Sequence, residues 1–318
     1  MTLMFPESAE SAGLAARYGY DRWLVGRFME YVPGIQDFMD KMERPPTQYI
    51  RVNTLKTTRD ELEAKMRSKG FEFKRTAISE VLAVEKAPMA TGATNEYLLG
   101  YYYIQDLSSC MAVDALDVAK DQTVLDVAAA PGGKTTFMAQ RMENTGSIIA
   151  LEPNGRRGRS MSFNLARCGV FNTCILKIDG LLAEKLQMKF DRVLLDAPCS
   201  CEGVIAKDAA RKTSHTPEDV EYCADRQDKL IEVAARMVKT GGILVYSTCS
   251  FAPEENEMVV DRLLQKFGKI TVEPLKYGSS GLTRFGDVTF DSQLKNARRL
   301  YPHINDTTGF FIARLKVS

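Results

Sequence analysis

From Val124 onward the apolar positions fall into short continuous runs: TVLDVA, SIIALE, TCILKID, FDRVLLDA, GGILVYS, KITVEPL and GFFIARLKV. Between them lie stretches with helical spacing, over Lys134 to Met142, Arg156 to Cys168, Pro217 to Val238 and Glu254 to Phe267. Runs with no polar alternation read as strands buried on both faces, and the stretches that separate them read as crossover helices. The rhythm predicts an α/β fold with a mainly parallel sheet. Ligands then sit at the carboxyl ends of its strands.

The N-terminal part has a different pattern. Helical spacing around Asp21 to Met42 precedes a strand-helix-strand reading in QYIRVNTL, TTRDELEAKMRSKG and FEFKRTAI, with Gly70 as the helix stop. This predicts a smaller α+β domain over residues 1–105, either an RNA-holding module or a packing appendage, and a catalytic domain over 106–318. The segment ATGATNEYLLGYYYIQDLSS joins them.

Composition narrows this picture in three places. The 318 residues are 45% hydrophobic and 26% charged, with no apolar run near the ~18 residues of a membrane span and no basic-then-apolar start. A cytoplasmic chain without membrane association is predicted. The net charge of +1 neither supports nor excludes a nucleic-acid partner, so attention passes to local clusters at Arg156, Arg157, Arg159, at Lys207, Arg211, Lys212, and at Arg298, Arg299. Each is a solvated face or a phosphate-holding patch. Seven cysteines in a chain this long read as reduced thiols, and no metal is predicted: Cys199-Ser200-Cys201 is wrongly spaced for a zinc knuckle, and His215 and His303 are the only imidazoles.

The strongest chemical signal is VLDVAAAPGGKTT, a strand ending at Asp126, a turn of small residues and a helix opening near Lys134. Its tail imitates a P-loop, but Ala128 stands where the first glycine must be, and no G-x-G-x-x-G follows the strand. A nucleotide triphosphate and a dinucleotide are both disfavoured. Glu152 closes the next strand and Asp179 the one after, so a row of strand-end acids suits the hydroxyls and base of a nucleoside lacking a pyrophosphate. Singly, each acid would be a helix cap or a solvated loop carboxylate.

Two more strand ends deliver cysteines, Cys199 in LLDAPCSCEG and Cys249 in LVYSTCS. One cysteine near a strand is usually a small core residue. Two at the ligand edge suit a reaction in which a thiolate adds to carbon 6 of a pyrimidine, making carbon 5 nucleophilic enough to accept a methyl group. Asp196 is placed to hold a proton near ring nitrogen 3, and Lys134 to raise the thiolate fraction of Cys249.

Together RVNTLK (Arg51 to Lys56), YYYIQDLSS, DVAAAPGGKTT, DAPCSCEG, STCSFAPEEN and GFFIARL resemble the Nop/Sun family of RNA cytosine-5 methyltransferases, over most of the chain from Arg51 to Leu315. The resemblance implies a Rossmann-like class I methyltransferase sheet with a smaller N-terminal RNA-recognition-like domain. It implies S-adenosylmethionine as cofactor, held by Asp126, the Ala130-Pro131-Gly132-Gly133 turn, Lys134, Glu152, Asp179 and Asp196. It further implies Cys249 as nucleophile and Cys199 as the thiol that assists product release. The chain departs from the family pattern at Cys201, where glycine is usual, and at Glu152, where many members have aspartate. With no further domain after GFFIARL it looks like a minimal member, for which transfer RNA is the implied substrate and ribosomal RNA the alternative. A noncatalytic RNA-binding scaffold is the rival reading, and it leaves both thiols without a purpose.

Overall fold

The computed structural model describes residues 2–318. In chain order its main helices and strands are α1 (Ala9–Tyr18), α2 (Arg22–Tyr31), α3 (Ile35–Met42), β1 (Gln48–Val52), α4 (Arg59–Arg67), β2 (Glu72–Arg75), β3 (Val81–Lys86), α5 (Asn95–Leu98), β4 (Tyr102–Ile104) and α6 (Leu107–Leu116). They continue with β5 (Thr123–Asp126), α7 (Gly133–Arg141), β6 (Ser147–Leu151), α8 (Gly155–Cys168), β7 (Thr173–Leu176), β8 (Phe190–Asp196), α9 (Arg211–Ser214), α10 (Pro217–Met237), β9 (Val238–Thr248) and α11 (Glu257–Lys266). The end of the chain adds β10 (Ile270–Glu273), β11 (Ser279–Ser280), β12 (Arg284–Phe285), β13 (Val288–Thr289), β14 (Arg298–Leu300), α12 (Pro302–Asn305) and β15 (Phe310–Val317). No described helix is long and apolar enough to cross a membrane.

Backbone contacts divide the chain into two units that cut across the sequence-based division at Gln105. One comprises residues 47–196, 233–245 and 317–318, the other residues 1–46, 197–232 and 246–316. The chain passes between them just before β1, at the end of β8, within α10, within β9 and near the end of β15.

The first unit opens with a four-stranded antiparallel sheet, ordered β2-β3-β1-β4. Helix α4 begins at a reciprocal cap, with Thr58 and Glu61 each accepting from the other's backbone N–H, and the turn beyond its end carries Gly70 at φ 86°. Leu62 and Met66 project from α4 onto Ile50, Val52, Phe71, Phe73, Leu82 and Tyr102, all buried, so this small module has its own core. The larger sheet of the same unit runs β9-β8-β5-β6-β7. Its β5, β6, β7 and β8 pair in parallel. Strand order reverses between β5 and β8, and a crevice at such a switch point is where parallel sheets hold ligands. Asp126 and Asp196 end those two strands.

The second unit holds α1, α2 and α3 together with the C-terminal third of the chain, where strands are ordered β11-β14-β15-β9 and β10 pairs with β15. The helical patterns expected around Asp21 to Met42 form two helices, which separate where Pro33 lacks an amide donor and Gly34 takes φ 64°. Arg27 of α2 is buried and pairs through both terminal nitrogens with Glu254, at 2.9 and 2.6 Å. Arg299 of β14 is likewise buried and paired with Glu257. It is therefore neither a solvated face nor a phosphate ligand, in contrast to the sequence-based expectation for the Arg298, Arg299 cluster.

Candidate active site

In the first unit, the acids expected from the sequence do end successive parallel strands. Asp126 closes β5 with 1% exposure. Its Oδ2 accepts from the Thr135 hydroxyl at 2.7 Å, while Oδ1 is buried with no partner. Burial pushes this carboxyl up to about 6. Glu152, beyond β6, accepts from the Asn154 amide at 2.7 Å and lies 3.3 Å from Arg157. Asp179, beyond β7, accepts from the Leu181 amide at 2.9 Å and caps the 3-10 turn Gly180–Leu186. At the end of β8, Asp196 is 2.6 Å from Lys134 Nζ, which also donates to Ser109 at 3.3 Å.

The small-residue turn between β5 and α7 is built for close approach. Gly132 has φ 97°, and a Cβ there would stand 3.1 Å from Met161 Cγ on α8. The Ala130 and Pro131 carbonyls accept from Arg157 and Asn164, both on α8. A tie that periodicity does not reveal comes from the small module: Arg51 of β1, fully buried, donates to the Gly133 carbonyl at 2.6 Å, to Thr136 at 2.8 Å and to Gln105 at 2.5 Å. The residue was visible in RVNTLK, but its hold on the turn was not.

In the second unit the two cysteine motifs come together. The loop after β8 is fixed at Ala197, whose amide donates to the Ser247 carbonyl at 2.8 Å. Cys199 Sγ lies 3.1 Å from Cys249 Sγ and 3.9 Å from Cys201 Sγ, and none of the three is in a disulfide. Gly203 donates to the Cys249 carbonyl at 2.8 Å and accepts from Gly309 at 2.9 Å. A Cβ on Gly203 would fall 2.2 Å from the Gly309 carbonyl oxygen, so only glycine permits this seam between the PCSCEG loop and the start of the closing strand.

Glu255 organises both thiol loops. It is fully buried, accepts from the Ser200 amide at 2.9 Å and from Ser250 Oγ at 2.6 Å, and also binds the Ser200 hydroxyl. Gln227 completes the clamp, donating to Glu255 at 2.8 Å and to the Pro198 carbonyl at 2.9 Å. Since Ser200 lies between Cys199 and Cys201 and Ser250 adjoins Cys249, one carboxylate fixes all three sulfur-bearing residues. Nothing in the spacing of PEEN singled it out.

The sequence assigned positive charge near the thiols to Lys134, whereas its ammonium is engaged with Asp196. Arg211 and His215 instead act on Cys201, Arg211 also donating to the Ser200 carbonyl at 3.0 Å. Hydrogen bonds among the sulfurs lower Cys201 and raise Cys199, so the cluster favours one thiolate stabilised by S–H donors. Of the basic residues expected to hold RNA, Arg156, Arg157, Arg159 and Lys207 are exposed. Arg157 binds Ala130 and Glu152, and Lys212 pairs with Glu43 at 2.6 Å and donates to the Tyr18 carbonyl at 3.0 Å.

Comparison with known proteins identifies the family and the fold. The family model described as 16S rRNA methyltransferase RsmB/F matches residues 113–316, and that of the RsmF/B-like ferredoxin-like domain matches residues 20–90. A human 28S rRNA (cytosine(4447)-C(5))-methyltransferase is 42% identical over 95% of this chain and 38% of its own length. The chain spans 38% to 60% of the length of the first curated relatives it matches. A crystal structure of a methyltransferase homologue from Pyrococcus horikoshii superposes with a TM-score of 0.90 at 38% identity, covering 98% of this chain and 100% of the other. NSun6 from the same organism, solved with SFG, superposes with a TM-score of 0.81 at 26% identity over 96% of this chain and 97% of its own. The large sheet thus has the class I methyltransferase fold, and the chain belongs to the RsmB/F family of methyltransferases.

Proposed function

We propose that this chain transfers a methyl group from S-adenosylmethionine to carbon 5 of a cytosine in ribosomal RNA. The observation that carries the reading is the pair of sulfurs of Cys199 and Cys249, 3.1 Å apart and held on one carboxylate. A scaffold that only binds RNA has no use for such a pair. Ribosomal RNA is preferred to the transfer RNA expected from the sequence because the matching family and the human relative both bear ribosomal RNA in their descriptions.

The cofactor site fits the donor set. Asp126 offers a buried oxygen with no partner, Glu152 and Asp179 follow on adjacent strands, and the turn that carries Gly132 has no room for larger side chains. When bound, S-adenosylmethionine supplies an electrophilic methyl group. The chain supplies the rest. The Cys249 thiolate adds to carbon 6 of the base and its electron pair moves the ring toward a nucleophilic carbon 5. Asp196, held by Lys134 at 2.6 Å, is the carboxyl assigned to serve ring nitrogen 3. After transfer, loss of the carbon 5 hydrogen as a proton restores the double bond and expels Cys249, a departure assigned to Cys199. The target base must leave its stack for a sulfur to reach its face. Arg156, Arg157, Arg159 and Lys207 are the exposed cations proposed to hold phosphates, with affinity that falls as salt rises.

The test is methyl transfer from radiolabelled S-adenosylmethionine to ribosomal and to transfer RNA. Alongside it, denaturing gels read the protein-RNA adduct. Cys249→Ala abolishes transfer and adduct; Cys199→Ala accumulates the adduct. Label on transfer RNA alone would overturn the substrate, and an adduct retained in Cys249→Ala would overturn the nucleophile.

A further inference from the structure

The spacing of Cys199 and Cys201 along the chain argued against a metal, but the folded chain brings a third sulfur from another strand end. Cys199, Cys201 and Cys249 place their Sγ atoms within 4.8 Å of one another, with individual separations of 3.1 and 3.9 Å from Cys199. A Zn–S bond of about 2.3 Å sets the sulfurs of a three-thiolate site roughly 3.8–4.0 Å apart, whether trigonal or three corners of a tetrahedron. The Cys199–Cys201 separation of 3.9 Å matches that value and the Cys199–Cys249 separation of 3.1 Å is shorter, so converging on one ion requires the latter two sulfurs to move apart by side-chain rotation. All three residues are partly exposed, which leaves an entry path.

A second observation concerns the third sulfur itself. Cys201 has φ 65°, in the left-handed region that side chains other than glycine disfavour. Glycine would relieve the backbone, yet this chain keeps a thiol, whose S–H donates to the Cys199 carbonyl at 3.3 Å. The chemistry of methyl transfer uses two thiols and assigns nothing to a third. Among the described residues this is the only group of three or more potential ligands found close enough to share an ion. The Glu255 clamp fixes the loops around it, supplying the preorganisation that a metal site needs.

We propose that Cys199, Cys201 and Cys249 form a binding site for a thiophilic divalent cation of the Zn2+ or Cd2+ class. Binding joins three sulfurs to the ion and releases the protons they carry. The fourth position is left to water, as in open zinc sites. Because Cys249 is one of the ligands, a loaded ion and an attacking thiolate exclude each other; that clause rests on the proposed function, while the binding itself does not.

The experiment uses the reduced full chain, stripped of metal and with neither RNA nor methyl donor, titrated with Cd2+. A sulfur-to-metal charge-transfer band in the ultraviolet saturates at one ion per chain. Alkylation followed by mass spectrometry then shows Cys199, Cys201 and Cys249 shielded together, with exposed Cys174 as the internal control that remains reactive. Cys201→Gly, which suits the backbone, and Cys201→Ser, which keeps the side-chain shape, each weaken binding by at least about 10- to 100-fold, the loss seen for disturbing even outer partners of a metal. Circular dichroism confirms that both variants are folded. Unchanged Cd2+ affinity in these variants, or Cys201 alkylated at the metal-free rate in the loaded protein, would overturn the proposal. Neither result bears on methyl transfer, so the two readings fail separately.

Discussion

Burial pushes the Glu255 carboxyl up to about 7 from an ordinary 4.5, with Glu202 adding repulsion and the two serines opposing it. Between those values the folded chain holds a proton that the unfolded chain releases. The stability this group contributes is therefore complete below the unfolded value and lost as pH rises through about 7. Glu255→Gln removes that part of the pH dependence, so urea midpoints at pH 5 and pH 8 lie closer together in the variant than in the parent chain. Equal differences in the two proteins would show that Glu255 does not titrate as described. Asp126 makes a complementary case, because its lone buried oxygen costs stability until a ligand donates to it. Asp126→Asn should weaken S-adenosylhomocysteine binding by about tenfold or more in calorimetry, the worth of a hydrogen bond to a charged group, without lowering the unfolding midpoint. A midpoint that falls along with affinity would make the acid structural.

The link between β1 and the turn before α7 is a property of elements rather than of single groups. Arg51 reaches Gly133, Thr136 and Gln105 with one planar fork, a geometry an ammonium cannot copy. Arg51→Lys is thus expected to lower S-adenosylhomocysteine affinity although Arg51 is no cofactor ligand, and Arg51→Met to cost about 1–3 kcal/mol for each buried acceptor left unpaired. Calorimetry with denaturant unfolding checks both; unaltered affinity in a folded Arg51→Lys chain would remove the positioning role. The elements themselves were legible to different degrees. Strands β5 to β8 were readable because continuous apolar runs mark burial on both faces, and α8 because its apolar stripe repeats at helical spacing. Helix α6 was not, since Leu107, Cys110, Met111, Ala112, Val113, Ala115 and Leu116 are all buried and leave no polar face to set a period. Helix α1 escaped because Ser11 takes the part in its cap that glutamate usually signals. At the site, Asp126, Cys199 and Cys249 were visible as strand-end residues, whereas Glu255 and Arg51 act through contacts that no spacing encodes.

On the scale of the whole chain, each compact unit is assembled from segments far apart in sequence. The N-terminal helices are a case in point, for the buried guanidinium of Arg27 finds its partner Glu254 across 227 positions. Arg27→Ala leaves that carboxylate buried without its partner, a defect worth about 3–5 kcal/mol. Denaturant unfolding should show the loss, and a change under about 1 kcal/mol, the ceiling for exposed pairs, would mean that the pair is solvated. The same tie sets an order of events when the protein is made. At about 5–20 residues per second, roughly 10 to 45 seconds separate the emergence of Arg27 from that of Glu254. Throughout that interval α2 presents Leu24, Val25 and Phe28, which are buried in the finished chain, with nothing yet synthesised from residues 246–316 to cover them. Helix α2 thus leaves the ribosome well before the residues that complete its burial, and its apolar face stays uncovered for that interval.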